Sequence, residues 1–142
     1  MKSKIFVDKE GRWYYEGNEI IRDEIVQEFL NALEYDEEGR YWICLREDKE
    51  PIEVEDTVFL VRQVEKMKDS FIITLNDGTK EYMDLETFWI DSRGVPYCLV
   101  KNKKFPARLG RMAFYQLAQH AYYDGENYII EVGGKRYILN RS

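Results

Sequence analysis

The sequence predicts an α+β fold made of two related β-hairpin–helix–hairpin units with an antiparallel meander inserted between them. The segments DKEGRWY (residues 8–14) and DSRGVPY (residues 91–97) share an Asp, a Gly three positions later and a Tyr three positions further. Each is followed by a helical pattern, a Tyr-Asp pair and an aromatic-led apolar run. Between them lie short runs of alternating apolar and polar residues, which are typical of strands. We interpret the match as an internal duplication, with the strands of 57–88 inserted between the copies.

The first predicted half covers residues 1–56. Its segment KIFVDKEGRWYYEG alternates apolar and polar residues around Gly11 and predicts a hairpin. The segment RDEIVQEFLNALEY places Ile25, Phe29 and Leu33 four residues apart, which predicts a helix that ends at DEEG. RYWICLR then predicts a buried strand, and PIEVED predicts a short strand with an acidic outer face.

The second predicted half covers residues 57–142 and is expected to pack with the first as one compact unit. TVFLVRQVE, SFIITL and KEYMDL predict strands, and the NDGT turn joins the last two. TFWIDSRGVPYCLV predicts a further hairpin. ENYIIEVGGKRYILN predicts a final hairpin that turns at its two adjacent glycines.

A second helix is expected to begin at Pro106, because proline suits the first turn of a helix. Its sequence, PARLGRMAFYQLAQHAYY, directs Leu109, Met112, Ala113 and Leu117 toward a core.

The charge of the chain is unevenly distributed. The net charge of −6 combines residues 1–91, with 24 acidic and 12 basic side chains, and residues 92–142, with 3 acidic and 9 basic ones. Such asymmetry can mark a partner-binding face, or it can mean that the two parts attract each other in the fold. We favour attraction within the fold. The overall acidity argues against nonspecific binding of duplex nucleic acid.

The composition argues against several other classes of protein. No apolar run approaches the roughly 20 residues that span a bilayer, and the N-terminus lacks the apolar core of a signal peptide, so we expect a cytoplasmic protein. Cys44 and Cys98 lie in apolar runs typical of buried strands. The single histidine, His120, has no nucleophile motif near it, and these three residues are too scattered for a zinc site. The sequence therefore predicts no catalytic residue and no metal ligand, and it identifies no cofactor.

Two charged groups are the candidates for a binding role. Glu53, Glu55 and Asp56 form the densest group of carboxylates, which could hold a cation, perform acid–base chemistry or lie on a solvated strand face. Arg108 and Arg111 are three residues apart in the predicted second helix and therefore neighbours. The arginines could bind an anionic ligand or pair with the acidic segment, and we favour the pairing.

The sequence also resembles an uncharacterised bacterial family, domain of unknown function 1285. The resemblance rests on FVDKEGRWYYEGNEIIRDEIVQEFLNALEYDEEGRYWICL, on IEVEDTVF and on PYCLVKNKKFPARLGRMAFYQLAQHA. It implies an internally duplicated α+β protein whose C-terminal part is arranged like a pleckstrin-homology domain. It also implies a ligand site in a groove between the halves and a role in signalling, without an established activity.

The leading functional hypothesis is a non-enzymatic binding or regulatory module with a ligand groove between its two halves. The side chains expected to line the groove are Trp13, Glu53, Asp56, Arg108, Arg111 and Tyr115. The ligand would be a small molecule, anionic or nucleotide-like, or a protein partner. The alternatives are a metal-dependent hydrolase that uses the carboxylates of residues 53–56 and a structural domain that docks another protein through exposed aromatic residues.

Overall fold

The computed structural model describes residues 3–140, which form two compact units. The first unit ends at Val58 and the second begins at Phe59. Among residues 3–140, strands contain far more residues than helices do, and two α-helices accompany them, so the predicted α+β class is confirmed. Neither helix within residues 3–140 has the length and apolar character needed to cross a membrane.

The first unit is a six-stranded sheet with one α-helix. In chain order its strands are Ile5–Val7 (β1), Trp13–Tyr15 (β2), Asn18–Glu19 (β3), Leu33–Tyr35 (β4), Tyr41–Leu45 (β5) and Asp48–Val54 (β6). The helix α1, Asp23–Asn31, lies between β3 and β4 in the chain. In space the order is β3-β2-β1-β6-β5-β4, and all neighbours are antiparallel except β1 and β6, which are parallel.

The second unit contains another six-stranded sheet. Its strands are Phe59–Lys66 (β7), Phe71–Leu75 (β8), Lys80–Tyr82 (β9), Trp89–Ile90 (β10), Pro96–Val100 (β11) and Phe105–Leu109 (β12). The spatial order is β10-β11-β12-β7-β8-β9, with a parallel pair between β12 and β7. A 3-10 helix at Leu85–Thr87 lies between β9 and β10 in the chain.

The second unit continues with a helix and a small sheet. The helix α2, Arg111–Ala118, follows β12 directly, and the side-chain oxygen of Gln116 accepts a hydrogen bond from the backbone N–H of Val64 at 2.7 Å. The three antiparallel strands that follow are Tyr122–Tyr123 (β13), Tyr128–Val132 (β14) and Lys135–Ile138 (β15).

The two six-stranded sheets have the same topology. In each, the strands are arranged third, second, first, sixth, fifth, fourth, and a helical segment connects the third strand to the fourth. The repeat in the structure is thus a whole sheet. The strands β7–β9, which the sequence predicts to be an insertion between two copies, instead form one half of the second sheet.

The recurring Asp-x-x-Gly pattern has a local cause, because it builds the same hairpin turn three times. In each turn, one carboxylate oxygen of the Asp accepts hydrogen bonds from the backbone N–H groups two and four residues later, and the Gly N–H donates to the Asp carbonyl. The Asp residues are Asp8, Asp36 and Asp91. The turn at Asp8 joins the first and second strands of the first sheet, whereas the turn at Asp91 joins the fourth and fifth strands of the second sheet. The similarity of 8–14 and 91–97 therefore reflects shared turn chemistry at positions that are not equivalent in the two sheets.

The turn at Asp36 predicts a pH dependence of stability. The indole N–H of Trp42 donates to Asp36 Oδ2 at 3.0 Å, and this bond, with further hydrogen bonds from Arg40 and Glu38, lowers the pKa of Asp36 to about 2. Because the folded pKa lies below the unfolded value of 3.8, the ionised side chain stabilises the fold above about pH 4, and this stabilisation is lost as the pH falls through about 2.

The measurement is the melting temperature of the wild type and of Asp36→Asn between pH 7 and pH 2. The amide keeps an acceptor oxygen but removes the charge, so the difference should be largest at pH 7 and should shrink toward zero near pH 2. Glu37→Gln is the control, because the Glu37 side chain is exposed. A pH-independent difference for Asp36→Asn would show that the charge has no role.

The second helix begins later than the sequence predicts. Pro106 lies in β12, where Phe105, Ala107 and Leu109 are buried in alternation with half-buried neighbours. This period of two is that of a strand. Pro106 is tolerated there because the parallel pairing with β7 begins one residue later, at Ala107. The helix starts after Gly110, whose N–H donates to the carbonyl of Val61 at 3.0 Å.

The predicted core faces of the helices are partly correct. Ala113 and Leu117 are fully buried as expected, but Met112 is 64% exposed. Leu109 is buried from β12 instead of from the helix. In the first unit, α1 ends at Asn31, and Leu33 is buried as the first residue of β4.

The two glycines of the β14–β15 turn are expected to respond differently to substitution by alanine. Both have a positive φ, so either substitution carries a strain of about 1 kcal/mol. A Cβ on Gly133 would also lie 2.7 Å from the carbonyl oxygen of Asp69, whereas a Cβ on Gly134 would meet nothing within 4 Å. We expect Gly133→Ala to lower the free energy of unfolding by about 2–4 kcal/mol and Gly134→Ala by about 1 kcal/mol. Urea unfolding measures both, and equal losses would contradict the close contact.

Candidate functional site

Three of the six predicted site residues lie in the first unit. Trp13 is 1% exposed and packs against Phe29, with ring centroids 5.7 Å apart. It belongs to the core of its unit, and its place on the wall of a groove stays a prediction. Glu53 is exposed on β6, and its Oε1 accepts a hydrogen bond from the backbone N–H of Ser3 at 2.9 Å. Asp56 is half-buried just after β6.

The other three lie in the second unit, and they do not share one helix. Arg108 is half-buried in β12, opposite Tyr97 of β11 and Leu60 of β7. Arg111 and Tyr115 are exposed on α2, with Tyr115 at 67%. The predicted helical neighbourhood of Arg108 and Arg111 is therefore wrong, because the first residue is in a strand. A groove lined jointly by all six residues stays a prediction.

The carboxylates of the predicted acidic strand bind backbone amides. Glu53 accepts from Ser3, and Glu55 Oε1 accepts from the N–H of Lys9 at 2.9 Å, so both hold the N-terminal segment. Within residues 3–140, no group of three or more His, Cys, Asp or Glu side chains is placed to hold a metal ion.

Cys98 and His120 occupy the kinds of position that the sequence predicts, whereas Cys44, expected to be buried, is half-buried. Both cysteines lie in strands and are free thiols. Burial raises the pKa of Cys98 to about 12, so this thiol stays protonated at neutral pH. His120 is exposed just beyond α2, and its ring makes an edge contact with Phe71 at 5.5 Å.

An open concavity in the first unit includes Glu53. It has a volume of about 620 Å³, and the rings of Phe6 and Tyr14 lie within it 5.9 Å apart. The Tyr14 hydroxyl donates to Asp8 Oδ2 at 3.0 Å. Asp8 also accepts two backbone N–H groups of its own turn. The carboxylates of Glu53 and Asp8 in this concavity therefore already accept hydrogen bonds from other groups of the protein.

A more enclosed and more apolar cavity lies in the second unit, and we call it the tyrosine pocket. Its volume is about 260 Å³. It is lined by Ile90, Phe114, Ala118, Ala121, Tyr122, Tyr123, Tyr128, Leu139 and Asn140. The residues come from β10, from α2 and the turn after it, and from the three-stranded sheet and its C-terminal end. Cavities with mostly apolar walls and a few polar groups are typical small-molecule sites.

The apolar side of the tyrosine pocket is fixed by core packing. Phe114 on α2 stacks on the fully buried Phe88, with ring centroids 6.4 Å apart and an interplanar angle of 16°. Leu139 is 4% exposed, and its N–H donates to the carbonyl of Tyr128 at 2.9 Å. This side of the pocket is therefore formed before any ligand arrives.

The tyrosine side is polar at its edges. The Tyr122 hydroxyl donates to Glu131 Oε1 at 2.5 Å, and the hydrogen bond to this carboxylate raises the pKa of Tyr122. The Tyr123 hydroxyl donates to the carbonyl of Gly125 at 3.0 Å. The Tyr128 hydroxyl makes no hydrogen bond with residues 3–140, although its ring packs on Tyr123 with centroids 5.1 Å apart. One tyrosine hydroxyl is thus available to a ligand.

The sequence patterns described above do not predict the tyrosine pocket. They include Tyr123 only as part of the Tyr-Asp pair that follows the second helical pattern. Tyr122, Tyr123 and Tyr128 lie in two short strands and are 44–58% exposed. A cluster of tyrosines in short strands was a usable signal, since tyrosine is enriched where an apolar body and a polar tip meet water. Phe114 and Ile90, however, reach the pocket only through the tertiary fold.

Comparison with known proteins identifies a family resemblance. Residues 1–57 match the model of the N-terminal domain of DUF1285, a domain of unknown function. This confirms the resemblance that the sequence predicts. No curated protein matches the sequence.

Two solved structures share the fold. A DUF1285 family protein from Silicibacter pomeroyi DSS-3 has a TM-score of 0.81 at 22% identity, over 98% of this chain and 80% of that one. A DUF1285 family protein from Shewanella baltica OS155 has a TM-score of 0.70 at 18% identity, over 82% of this chain and 91% of that one. At these identities, the likeness establishes the fold alone.

Proposed function

We propose that this protein is a non-enzymatic binding module that holds a small molecule in the tyrosine pocket, with a cytoplasmic regulatory role in signal transduction. The observation that carries the proposal is the pocket itself: about 260 Å³, preformed by core packing on one side and lined by three tyrosines on the other. Clefts with mostly apolar walls and a few polar groups bind small molecules by covering much of their surface and fixing their orientation.

We further propose a pleckstrin-homology-like arrangement for the C-terminal part and a hairpin–helix–hairpin ancestor for each half. Support for the first is that α2 follows the last strand of the second sheet directly and packs on β7 through Gln116. Support for the second is the helical segment that follows the third strand in both sheets.

A thermal-shift screen against metabolites, nucleotides included, tests the proposed function. A ligand that binds the folded protein at 100 times its Kd stabilises it by about 2.7 kcal/mol, which is a measurable shift in Tm. Each compound that raises Tm is then measured with Tyr128→Ala and with Tyr115→Ala. Tyr115 is the matched control, because it is an exposed tyrosine outside the pocket.

The expected result is loss of the shift in Tyr128→Ala and its retention in Tyr115→Ala. Loss in Tyr115→Ala alone would overturn the pocket and favour docking at the exposed face of α2, the alternative role. A screen without any stabilising compound would count against a small-molecule function.

A further inference from the structure

We propose that the tyrosine pocket selects small, uncharged, planar aromatic molecules that carry one hydrogen-bonding group. This inference rests on the proposed function, because it specifies the ligand class of the same pocket. Four properties of the pocket carry it: its size, its lack of charge, its aromatic walls and its single free hydroxyl.

The size of the pocket sets an upper limit on the ligand. An engineered apolar cavity of about 150 Å³ in another protein holds benzene. The tyrosine pocket, at about 260 Å³, has room for a substituted ring or a fused pair of rings. A whole nucleotide would have to leave its sugar and phosphate outside.

The walls of the pocket disfavour charge of either sign. None of the nine described residues that line it is charged. Two charged groups of the same small sheet are engaged within the protein, because Glu131 accepts from Tyr122 and Arg136 pairs with Asp124 at 2.7 Å. A buried ammonium or carboxylate would therefore lose its hydration without gaining a counter-ion, which is strongly unfavourable.

The aromatic walls favour a flat ligand. Tyr123 and Tyr128 both line the cavity, and their rings are tilted against each other by 49°. Aromatic groups prefer offset-stacked or edge-to-face contacts, which add about 0.5–1.5 kcal/mol beyond the burial of their surface. Phe114 of α2 supplies a third aromatic ring to the lining.

The polar groups of the pocket leave one clear hydrogen-bonding position. The hydroxyls of Tyr122 and Tyr123 already donate to protein oxygens. Asn140 uses its Oδ1 to accept from the N–H of Tyr128 at 2.9 Å and its Nδ2 to donate to Asn127 at 3.2 Å. The Tyr128 hydroxyl is free of such bonds with residues 3–140. A ligand N–H or O–H placed against it would be oriented by this one contact.

The test is an NMR titration of the protein labelled with ¹³C at its alanine methyl groups. The chain has five alanines, of which Ala118 and Ala121 line the pocket. The other three, Ala32, Ala107 and Ala113, do not line it and serve as internal controls. A bound aromatic ring should shift the two pocket methyl signals and leave the others near their original positions.

The probes are indole, tryptamine and indole-3-acetate, which share one ring system but are neutral, cationic and anionic at pH 7. We expect indole to shift the Ala118 and Ala121 signals saturably, and the two charged probes to bind at least tenfold more weakly. Tyr128→Phe should weaken indole binding about 2–12-fold, the value of one neutral hydrogen bond. Tyr82→Phe, a change at a 71% exposed tyrosine outside the pocket, should leave it unchanged.

Two results would overturn the inference while leaving the proposed function intact. One is equal or tighter binding of a charged probe at the same methyl groups. The other is that none of the three probes shifts the methyl signals of Ala118 and Ala121, whereas a compound from the thermal-shift screen does. If no compound shifts these two methyls, the pocket is not a binding site, and both proposals fail.

Discussion

Trp13→Ala is expected to lower the free energy of unfolding by about 3–5 kcal/mol. Trp13 is 1% exposed and packs on Phe29 of α1, so the truncation removes a large buried ring and leaves a cavity between the sheet and its helix. Protein interiors close such cavities only in part. The change is read from urea unfolding followed by far-UV circular dichroism, because removing a tryptophan also alters the fluorescence.

Trp13→Phe separates the packing of this residue from its polar atom. The buried indole nitrogen of Trp13 has no hydrogen-bond partner among the described residues. Phenylalanine keeps a ring against Phe29 and loses no hydrogen bond, so we expect a cost of at most about 1.5 kcal/mol. A loss as large as that of the alanine variant would mean that the indole N–H is bonded in solution. Tyr82→Ala, at a 71% exposed site, should change stability by less than about 0.5 kcal/mol.

The correctly predicted features are those that depend on neighbouring residues in the chain. The turn of Asn76, Asp77 and Gly78 and the turn at Gly133 and Gly134 lie where the sequence places them, since hairpin turns are specified by the residues within them. The sequence also shows the Asp-x-x-Gly pattern that the Asp8 and Asp91 turns share. It does not show that the two turns join different pairs of strands in their sheets. Identical local hydrogen bonding produces identical motifs at positions that are not equivalent in the two sheets.

The incorrectly predicted features depend on distant partners. The backbone preference of Pro106 favours the start of a helix. However, Ala107 and Leu109 pair with β7, almost 50 residues earlier in the chain, and this pairing makes the segment a strand. No local pattern predicts the parallel pairs β1–β6 and β12–β7, which join the two three-stranded halves of each sheet. The candidate site was missed for the same reason, because Ile90 and Tyr128 meet only after the second unit has folded.

Phe88→Ala is the second change expected to have a large effect, about 3–5 kcal/mol lost from the free energy of unfolding. Phe88 is 1% exposed and follows the 3-10 helix, and its ring stacks on Phe114. The substitution should also disturb the tyrosine pocket, because Phe114 lines the pocket and would lose the Phe88 ring on which it stacks. Stability is measured by urea unfolding, and the state of the pocket by the alanine methyl signals.

Phe88→Leu keeps this prediction testable if the alanine variant fails to fold. Leucine retains most of the buried volume but not the flat face beneath Phe114, so we expect a folded protein destabilised by about 1–1.5 kcal/mol. Indole should still reach the methyl groups of Ala118 and Ala121 in this variant, with an affinity several-fold lower than in the wild type. Unchanged indole affinity in a folded Phe88→Leu protein would show that Phe114 is held by other contacts. The pocket would then owe its shape to the tyrosine side, which Tyr128→Ala tests directly.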